Sequence, residues 1–351
     1  MTTESPQGGG IGRRDFLKIG GAATAGILAG GALPGSAGAE PALQPGPLPQ
    51  AAMPTRNLGK TGYRPGIFSL GGQAAVEQPN NEAVAVPIVD RAIELGVNYV
   101  DTAAAYGGNE RWSQKHIGVV MRQRRNQVFL ASKTHDRTKD GSLRLLDESL
   151  RLLSTDHLDL WQLHNISRMD QVEQIFGPGG AIEALTQARE QHMVRFLGCT
   201  GHADPAVLME MLRRFPFDTI LMAINAADRH HLSFAAELLP MAVEREMGII
   251  GMKIPARSRI LSTWTPPAPS ARPGFEGNAA SAGAITIREA MYYTLTHPVS
   301  TVIIGCDNPA QVEENVRLAQ EFTPLSETQL ADLSARTEAV KRQALFFRRW
   351  A

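Results

Sequence analysis

The sequence predicts an α/β protein, a (β/α)8 TIM barrel with an N-terminal β-hairpin and an extra C-terminal helix. Short apolar runs alternate with helical patterns from Ile67 onward, which favours a parallel sheet covered by helices. Eight strand-and-helix pairs can be counted, which favours closure into a barrel over an open sheet. Three of the apolar runs end at Asp101, Lys133 and His164, which are 32 and 31 residues apart, the length of one strand-plus-helix unit.

The elements follow in order after a small hairpin with turn residues at 56–64. The core strands are predicted at 67–72, 97–101, 128–133, 158–164, 196–200, 219–225, 249–253 and 301–305. The helices are predicted at 82–95, 114–121, 141–152, 180–191, 205–214, 233–245, 285–297 and 309–321, with the extra helix at 327–347. Two long loops interrupt the alternation, at 162–180 and 257–283. The second is rich in proline and is expected to be a substrate wall or lid at the rim, or alternatively a disordered insertion.

The first 39 residues are interpreted as an export signal. Paired arginines open the segment Arg13-Arg14-Asp15-Phe16-Leu17-Lys18, a weakly hydrophobic stretch follows, and Ala37-Gly38-Ala39 forms a small-residue cleavage site. This pattern resembles a Tat signal peptide, so residues 13–18 are expected to engage the Tat machinery of a bacterium and deliver the protein to the periplasm. A membrane anchor is disfavoured because the apolar part is too short to span a bilayer well. Residues 40–52 are expected to be a linker, and residues 53–351 the barrel.

Composition argues against several classes of partner. Lys plus Arg and Asp plus Glu number 35 each, so no basic field is available for nucleic acid. The two cysteines, Cys199 and Cys306, make neither a disulfide framework nor a zinc site and are expected to be small buried residues. Adjacent His230 and His231 would point apart, so no metal site is expected. No Gly-x-Gly-x-x-Gly follows a strand, which removes support for a Rossmann fold.

Four side chains would meet at one rim of such a barrel: Asp101, Tyr106, Lys133 and His164. Lys133 would stabilise the phenolate of Tyr106 and lower its pKa towards the range useful to a general acid. Asp101 would hold Lys133 charged, and His164 would direct a ring N–H at a carbonyl oxygen. This group of four, here called the tetrad, could protonate an oxygen that gains charge as hydride reaches the adjacent carbon.

These residues resemble the Asp-Tyr-Lys-His tetrad of the aldo-keto reductase superfamily. The matching segments are Asp101-Thr102-Ala103-Ala104-Ala105-Tyr106-Gly107, Ser132-Lys133, Leu163-His164-Asn165 and, near the N-terminus, Leu58-Gly59-Lys60-Thr61-Gly62 leading to Leu70-Gly71-Gly72. The resemblance implies an enzyme that moves hydride between a nicotinamide cofactor and an aldehyde, ketone or sugar carbonyl, with Tyr106 as the acid. It also implies that the cofactor lies across the C-terminal rim of the barrel.

The family resemblance also assigns cofactor contacts to individual positions of this sequence. The resemblance places Asn165, Thr200, Gly201 and Asn225 near the nicotinamide, and Gly305, Asp307, Gln311, Glu314 and Asn315 near the adenosine phosphate. Cys306-Asp307 and Gln311 replace the Lys-Ser and Arg that many members use to hold a 2′-phosphate, and Asp307 could accept from a ribose hydroxyl instead. Lys253, with Arg257, could supply phosphate charge. NADP(H) is favoured over NAD(H) on the family precedent.

Two further interpretations remain open. An exported barrel could retain its nucleotide tightly and act as a low-turnover binding or regulatory protein, because free NADPH is not expected outside the cytoplasm. A cofactor-free lyase or hydrolase lacks the paired carboxylates that such chemistry usually needs. Trp112, Trp264 and Phe275 offer apolar or sugar-binding surfaces, and Arg229 and Arg259 could receive an anion, although solvated surface charge is the simpler interpretation. The substrate is not readable from the sequence.

Overall fold

The fold is a closed barrel of eight parallel strands, seen in a computed structural model that describes residues 52–266 and 281–350. The strands pair in chain order, and β8 closes the ring by pairing with β1. They are β1 Phe68–Gly71, β2 Tyr99–Asp101, β3 Phe129–Thr134, β4 Leu158–Leu163, β5 Val194–Gly201, β6 Thr219–Ala223, β7 Gly248–Met252 and β8 Thr301–Ile304. The predicted (β/α)8 class is therefore confirmed.

Helices follow the strands and lie outside them. They are α1 Glu82–Glu94, α2 Trp112–Arg124, α3 Lys139–Leu152, α4 Met169–Phe176, α5 Ala181–Glu190, α6 Pro205–Arg214, α7 Leu238–Glu244, α8 Ile287–Thr296, α9 Pro309–Gln320, α10 Glu327–Thr337 and α11 Lys341–Ala344. Helix α4 lies within the stretch 162–180 that was predicted as a loop, so that prediction is wrong. It buries Val172 and Ile175 and ends at Gly177.

The barrel interior and the helix layer form two separate apolar clusters. Tyr99, Phe129, Leu160, Leu221 and Ile250 fill the interior, with Tyr99 and Phe129 stacked at a ring-centroid distance of 5.3 Å. The intervening strand residues point outward and pack against the helices. Alternation of this kind buries both faces of each strand, as expected for a parallel sheet covered by helices.

The N-terminal hairpin closes the end of the barrel opposite the C-terminal ends of the strands. Its arms meet through one antiparallel bridge, Thr55 to Gly66, and through the hydrogen bond from Leu58 N to Tyr63 O of 2.9 Å. Leu58 is fully buried in the interior cluster. Gly59 has φ +54, and a Cβ there would lie 2.2 Å from Gly248 N, so the approach requires glycine.

The extra C-terminal helix is present but broken. The predicted helix 327–347 is instead α10, a 3-10 turn at Glu338–Val340 and the short α11. The prediction of one continuous helix is therefore wrong, and the chain turns back over the rim after α11. The predicted signal peptide, nearly all of the linker and Phe275 lie outside the described residues. Within 52–266 and 281–350, no helix is long and apolar enough to cross a bilayer.

Candidate active site

The tetrad meets at the C-terminal rim, because each member lies at the end of a neighbouring parallel strand. Asp101 ends β2, Lys133 lies one residue before the end of β3, and His164 follows β4. Tyr106 lies in the loop after β2, where its backbone N–H donates to Ala103 O at 3.1 Å. The predicted convergence of these four residues is what the structure shows.

Lys133 and Asp101 form a buried ion pair beneath the mouth. Both side chains are 1% exposed, and Lys133 Nζ donates to Asp101 Oδ1 and, at 2.7 Å, to Thr102 O. Gln162, opposite Lys133 in the strand register, places Nε2 3.4 Å from Asp101 Oδ2. Burial lowers the pKa of Lys133 and raises that of Asp101, while each partner's charge opposes the effect on the other.

Tyr106 lies between Lys133 and His164. Lys133 Nζ is 4.9 Å from the centroid of the phenol ring, and the His164 ring meets that ring edge-on, at 5.6 Å between centroids and 81° between planes. A carbonyl group entering the mouth would therefore approach a phenol and an imidazole that stand side by side. This arrangement suits one oxygen accepting from both.

The pKa of Tyr106 is shifted upward, against the sequence-based expectation. Burial raises it well above the ordinary value, and the negative charges of Asp101 and Glu77 add to the rise, while Arg257 opposes it. The expected lowering by Lys133 is wrong for the free protein because Asp101 pairs with that ammonium. The phenol is thus held protonated at neutral pH, as a proton donor must be before it reacts.

His164 is held neutral. Burial lowers its pKa well below the usual range, and the positive charges of Lys133 and Arg137 act in the same direction. Its backbone is fixed on both sides: His164 N donates to Thr134 O at 2.8 Å, and Arg137 Nη2 donates to His164 O at 2.7 Å. A neutral imidazole carries one N–H that can orient a carbonyl oxygen.

The predicted nicotinamide contacts at β4 and β5 adjoin the tetrad. Asn165 is exposed and has φ +52, and its backbone N–H donates to Thr200 Oγ1 at 2.9 Å. Gly201 ends β5, where a Cβ would lie 2.6 Å from Ile166 O. The Asn165 side chain is therefore accessible, whereas the Thr200 hydroxyl already accepts one bond within the protein.

Asn225, predicted at the nicotinamide, has its amide engaged elsewhere. It is fully buried, and Nδ2 lies 3.2 Å from both Lys253 O and Ala344 O. Its Oδ1 accepts from Ala227 N at 3.0 Å. The side chain thus ties β6 to the β7 loop and to α11, and a cofactor contact would require it to give up these bonds.

The predicted adenosine-phosphate segment follows β8 and leads into α9. Gly305 approaches Gln73 so closely that a Cβ would lie 3.1 Å from Gln73 O. Asp307 and Glu314 are exposed, and Gln311 Oε1 accepts from Asp307 N at 2.8 Å. Asn315 is buried, with Nδ2 3.4 Å from Cys306 Sγ, so its amide does not face outward.

The sequence analysis missed Gln73 and Glu77 beside the mouth. Gln73 Nε2 lies 3.3 Å from Glu77 Oε1, and Lys253 Nζ lies 3.3 Å from Gln73 Oε1. Burial raises the pKa of Glu77. Gln73 follows the recognised Leu70-Gly71-Gly72 segment directly, so proximity to that motif is the one sequence signal that pointed here.

The C-terminal tail is locked onto the rim by a buried arginine. Arg348 pairs with Asp228, both fully buried, and also donates to His202 O at 2.8 Å and to Ala223 O at 3.0 Å. Its guanidinium carbon lies 3.9 Å from the Phe234 ring centroid. The tail therefore covers the loops that follow β5 and β6.

No cluster of three or more metal-ligating side chains occurs within residues 52–266 and 281–350. His230 Nε2 donates to Ser334 O at 2.8 Å, and His231 Nε2 donates to Arg349 O at 2.7 Å. Both imidazoles thus help to attach α10 and the tail. Cys199 and Cys306 are buried free thiols.

Comparisons with known proteins agree with this geometry. The profile of the Aldo/keto reductase family matches residues 65–338. The L-galactose dehydrogenase of Arabidopsis thaliana is 28% identical, covering 82% of this chain and 95% of that protein. The uncharacterized oxidoreductase YqkF of Bacillus subtilis is 26% identical, covering 82% and 97%.

Solved structures give the same picture. The aldo-keto reductase AKR11C1 from Bacillus halodurans, in its holo form, superposes with a TM-score of 0.66 at 25% identity, covering 82% of this chain and 97% of that one. An aldo-keto reductase from Klebsiella pneumoniae in complex with NADPH has a TM-score of 0.63 at 20% identity, covering 81% and 95%. The second similarity concerns the fold alone.

Proposed function

The chain belongs to the aldo/keto reductase family of oxidoreductases, and we propose that it transfers hydride between a nicotinamide cofactor and an aldehyde, ketone or sugar carbonyl. The observation that supports this is the position of the Tyr106 ring, 5.6 Å from His164 and 4.9 Å from Lys133 Nζ. Tyr106 is the proton donor in this proposal. The same site would run in reverse on an alcohol.

The protein's part of the reaction is proton transfer and orientation. The neutral His164 ring directs its N–H at the substrate oxygen, and Tyr106 donates the phenolic proton as that oxygen becomes an alkoxide. The phenolate left behind faces the ammonium of Lys133. Asp101 keeps that ammonium charged despite its burial. In the reverse direction, the phenolate removes the proton from an alcohol.

The residues at the rim fit a dinucleotide in part. When bound, the reduced nicotinamide supplies the hydride. Gly305 permits close backbone approach, and Lys253 and Arg257 place two basic side chains after β7, next to β8, which suits phosphates. Asn225 and Asn315 have their amides engaged, so Asn165, Asp307 and Glu314 are the more accessible of the predicted contacts.

We propose NADP(H) as the preferred nucleotide, with the phosphate charge supplied from the β7 side. The segment 305–311 contains no cation and carries Asp307. Titration of the protein with NADPH and with NADH, followed by quenching of intrinsic fluorescence, measures the preference. Tighter binding of NADH would assign NAD(H). Lys253→Met should weaken NADPH binding, while Lys139→Met, at the partly exposed start of α3, should leave it unchanged.

Replacing Tyr106 by Phe tests the assignment. The variant keeps the ring contacts but removes the proton, so kcat for carbonyl reduction should fall by about 100-fold or more. Tyr292→Phe is a matched control, because this tyrosine lies in α8, where its hydroxyl accepts from Arg288 at 3.3 Å. A screen of aldehydes, ketones and sugars with the wild-type protein must precede this comparison. Unchanged turnover in Tyr106→Phe would refute the role of the phenol.

We also propose Tat-dependent export to the periplasm, supported by Arg13, Arg14 and the small-residue site at 37–39. Replacing both arginines by lysine should abolish export in a Tat-competent host. Analysis of the nucleotide extracted from protein purified from the periplasm distinguishes a cofactor that stays bound after export from one that exchanges. Protein that arrives without nucleotide and cannot bind it would exclude the low-turnover alternative with retained nucleotide.

A further inference from the structure

Lys253 is a second lysine at the catalytic rim. It follows β7 directly, so it stands at the same end of the barrel as Lys133. Its backbone has φ +62, a left-handed conformation that is uncommon for a residue with a side chain. Strained backbone of this kind collects at functional sites, where neighbouring structure holds the residue in place.

The surroundings of Lys253 differ from those of Lys133. Within the described part of the chain, its Nζ has one weak bond, to Gln73 Oε1 at 3.3 Å. Among residues 52–266 and 281–350, no carboxylate oxygen lies within 4.0 Å of that nitrogen, whereas Lys133 is paired with Asp101. Glu77 is reached only through Gln73, whose Nε2 lies 3.3 Å from Glu77 Oε1. The amine is therefore half-buried without a direct counter-ion.

Charged groups around Lys253 shift its pKa in both directions. Burial and the positive charges of Arg257 and Lys133 lower the pKa of Lys253 to about 7, while Glu77 and Asp101 oppose the shift. About half of the amine is then neutral at pH 7, compared with roughly one part in 2,500 for an exposed lysine of pKa about 10.4. A neutral, partly desolvated amine is a nucleophile towards carbonyl carbon.

We propose that Lys253 is a nucleophilic amine that forms an imine with small aldehydes or ketones entering the barrel mouth. The assignment stands on its position on the tetrad rim, its weak bond to Gln73 and its place near Glu77 and Arg257. It does not depend on the proposed hydride transfer and needs no nucleotide. If Tyr106→Phe kept the turnover of the wild type, the hydride-transfer proposal would fail, but the proposal for Lys253 would still stand.

The reaction is a condensation and involves no redox change. The Nζ lone pair attacks the carbonyl carbon, a C–N bond forms, and the carbonyl π electrons move to oxygen. The nitrogen then loses a proton and the oxygen takes one up. The resulting hydroxyl is protonated and leaves as water while the nitrogen lone pair forms the C=N bond, and the protonated imine releases its remaining proton to water. Glu77 is the carboxyl joined to Lys253 through Gln73, and its raised pKa suits it to carry that proton.

Reductive trapping tests the proposal on the full-length, nucleotide-free protein. Propionaldehyde and cyanoborohydride are added in limiting amounts at pH 7, and peptide mass spectrometry measures propylation at each lysine with time. Lys253 should be modified at least about tenfold faster than the exposed Lys60 and the partly exposed Lys115, Lys139 and Lys341, because far more of its amine is neutral. Modification of Lys253 no faster than these would overturn the proposal.

Two controls separate reactivity from labelling at random. Lys253→Arg should lose the fast-modified peptide, while Lys341→Arg, in the short helix α11, should keep it. In denaturing urea the wild-type preference should vanish, because it arises from the folded surroundings of the amine. This second measurement needs no variant to fold. A preference for Lys253 that persisted in urea would assign it to local sequence and overturn the proposal.

Discussion

Asp101→Asn would leave the ammonium of Lys133 without its counter-ion while preserving the shape of the side chain. Both partners are 1% exposed, so water cannot replace the lost charge. Removing one member of such a buried pair typically costs about 3–5 kcal/mol of unfolding free energy. Thr102 O, 2.7 Å from Lys133 Nζ, remains as an acceptor but carries no full charge.

The loss has an upper bound that follows from acid–base equilibrium. Lys133 can lose its proton in the folded state. At pH 7 this costs about 1.4 kcal/mol for each unit by which the pH lies below the ordinary lysine pKa of about 10.4, or about 5 kcal/mol in all. The predicted destabilisation at pH 7 is therefore about 3–5 kcal/mol. A neutral Lys133 would also no longer stabilise the Tyr106 phenolate, so kcat should fall as well.

The pH dependence identifies the cause. In the variant, Lys133 would be neutral when folded and charged when unfolded at any pH between its depressed folded pKa and about 10.4. The unfolded state then binds one more proton, so the unfolding free energy of the variant rises with pH by about 1.4 kcal/mol per unit. The wild-type protein keeps this lysine charged in both states. The difference between the two proteins should shrink from pH 7 towards pH 10.

Urea unfolding followed by circular dichroism, at several pH values, measures these differences. Asp101→Asn with Lys133→Met removes both charges and should recover most of the lost stability, because an apolar pair replaces the ion pair. Glu110→Gln breaks the exposed pair with Lys115 and should leave the urea midpoint unchanged. A pH-independent loss in Asp101→Asn, or a double variant no more stable than the single one, would refute the reasoning.

The remaining predictions concern the tail, the imidazole and the thiols. Arg348→Met leaves the fully buried Asp228 without its charged partner and should lower the unfolding free energy by about 3–5 kcal/mol in urea titrations, which Asp228→Asn in the same chain should partly restore. The pKa of His164 is lowered well below its usual range, so kcat/KM should show no loss as pH falls through about 6.5, since the ring is neutral on both sides of that value. Burial raises the pKa of Cys199, and that of Cys306 to about 12, so both thiols should resist an aromatic disulfide reagent until the protein is unfolded.

Much of the fold could be predicted because its signals are local. Helix α6 matches the prediction at both ends: Asp204 accepts from Ala206 N at 2.9 Å as the cap, and Pro205 occupies the first turn. Helix α4 was missed because it is short and adjoins the Gly177-Pro178-Gly179-Gly180 cluster, which indicates a loop. The break after α10 depends on contacts with the barrel and has no such local signal.

The site, like the fold, could be predicted from the sequence only where its signals are local. Strand ends could place Asp101, Lys133 and His164 on one rim, because parallel strands bring their carboxyl ends together. The engagement of Asn225 could not be predicted, because Ala344, which it contacts, lies 119 residues away in sequence. The sign of the Tyr106 pKa shift also required three-dimensional information. It depends on whether the nearby ammonium is free or already paired.

The two rim lysines show how one neighbour determines the chemistry of an amine. Lys133 is the more deeply buried, yet Asp101 bonds it directly, so its charge is retained and can stabilise a phenolate. Lys253 has Gln73 where Lys133 has a carboxylate, and an amide oxygen offers a dipole but no charge. Burial and the charges of Arg257 and Lys133 therefore outweigh the opposing charges of Glu77 and Asp101 at Lys253, which favours the neutral, nucleophilic form. The proposed roles of the two lysines, one cationic and one nucleophilic, thus differ chiefly because Lys133 has a carboxylate as its direct partner and Lys253 has an amide.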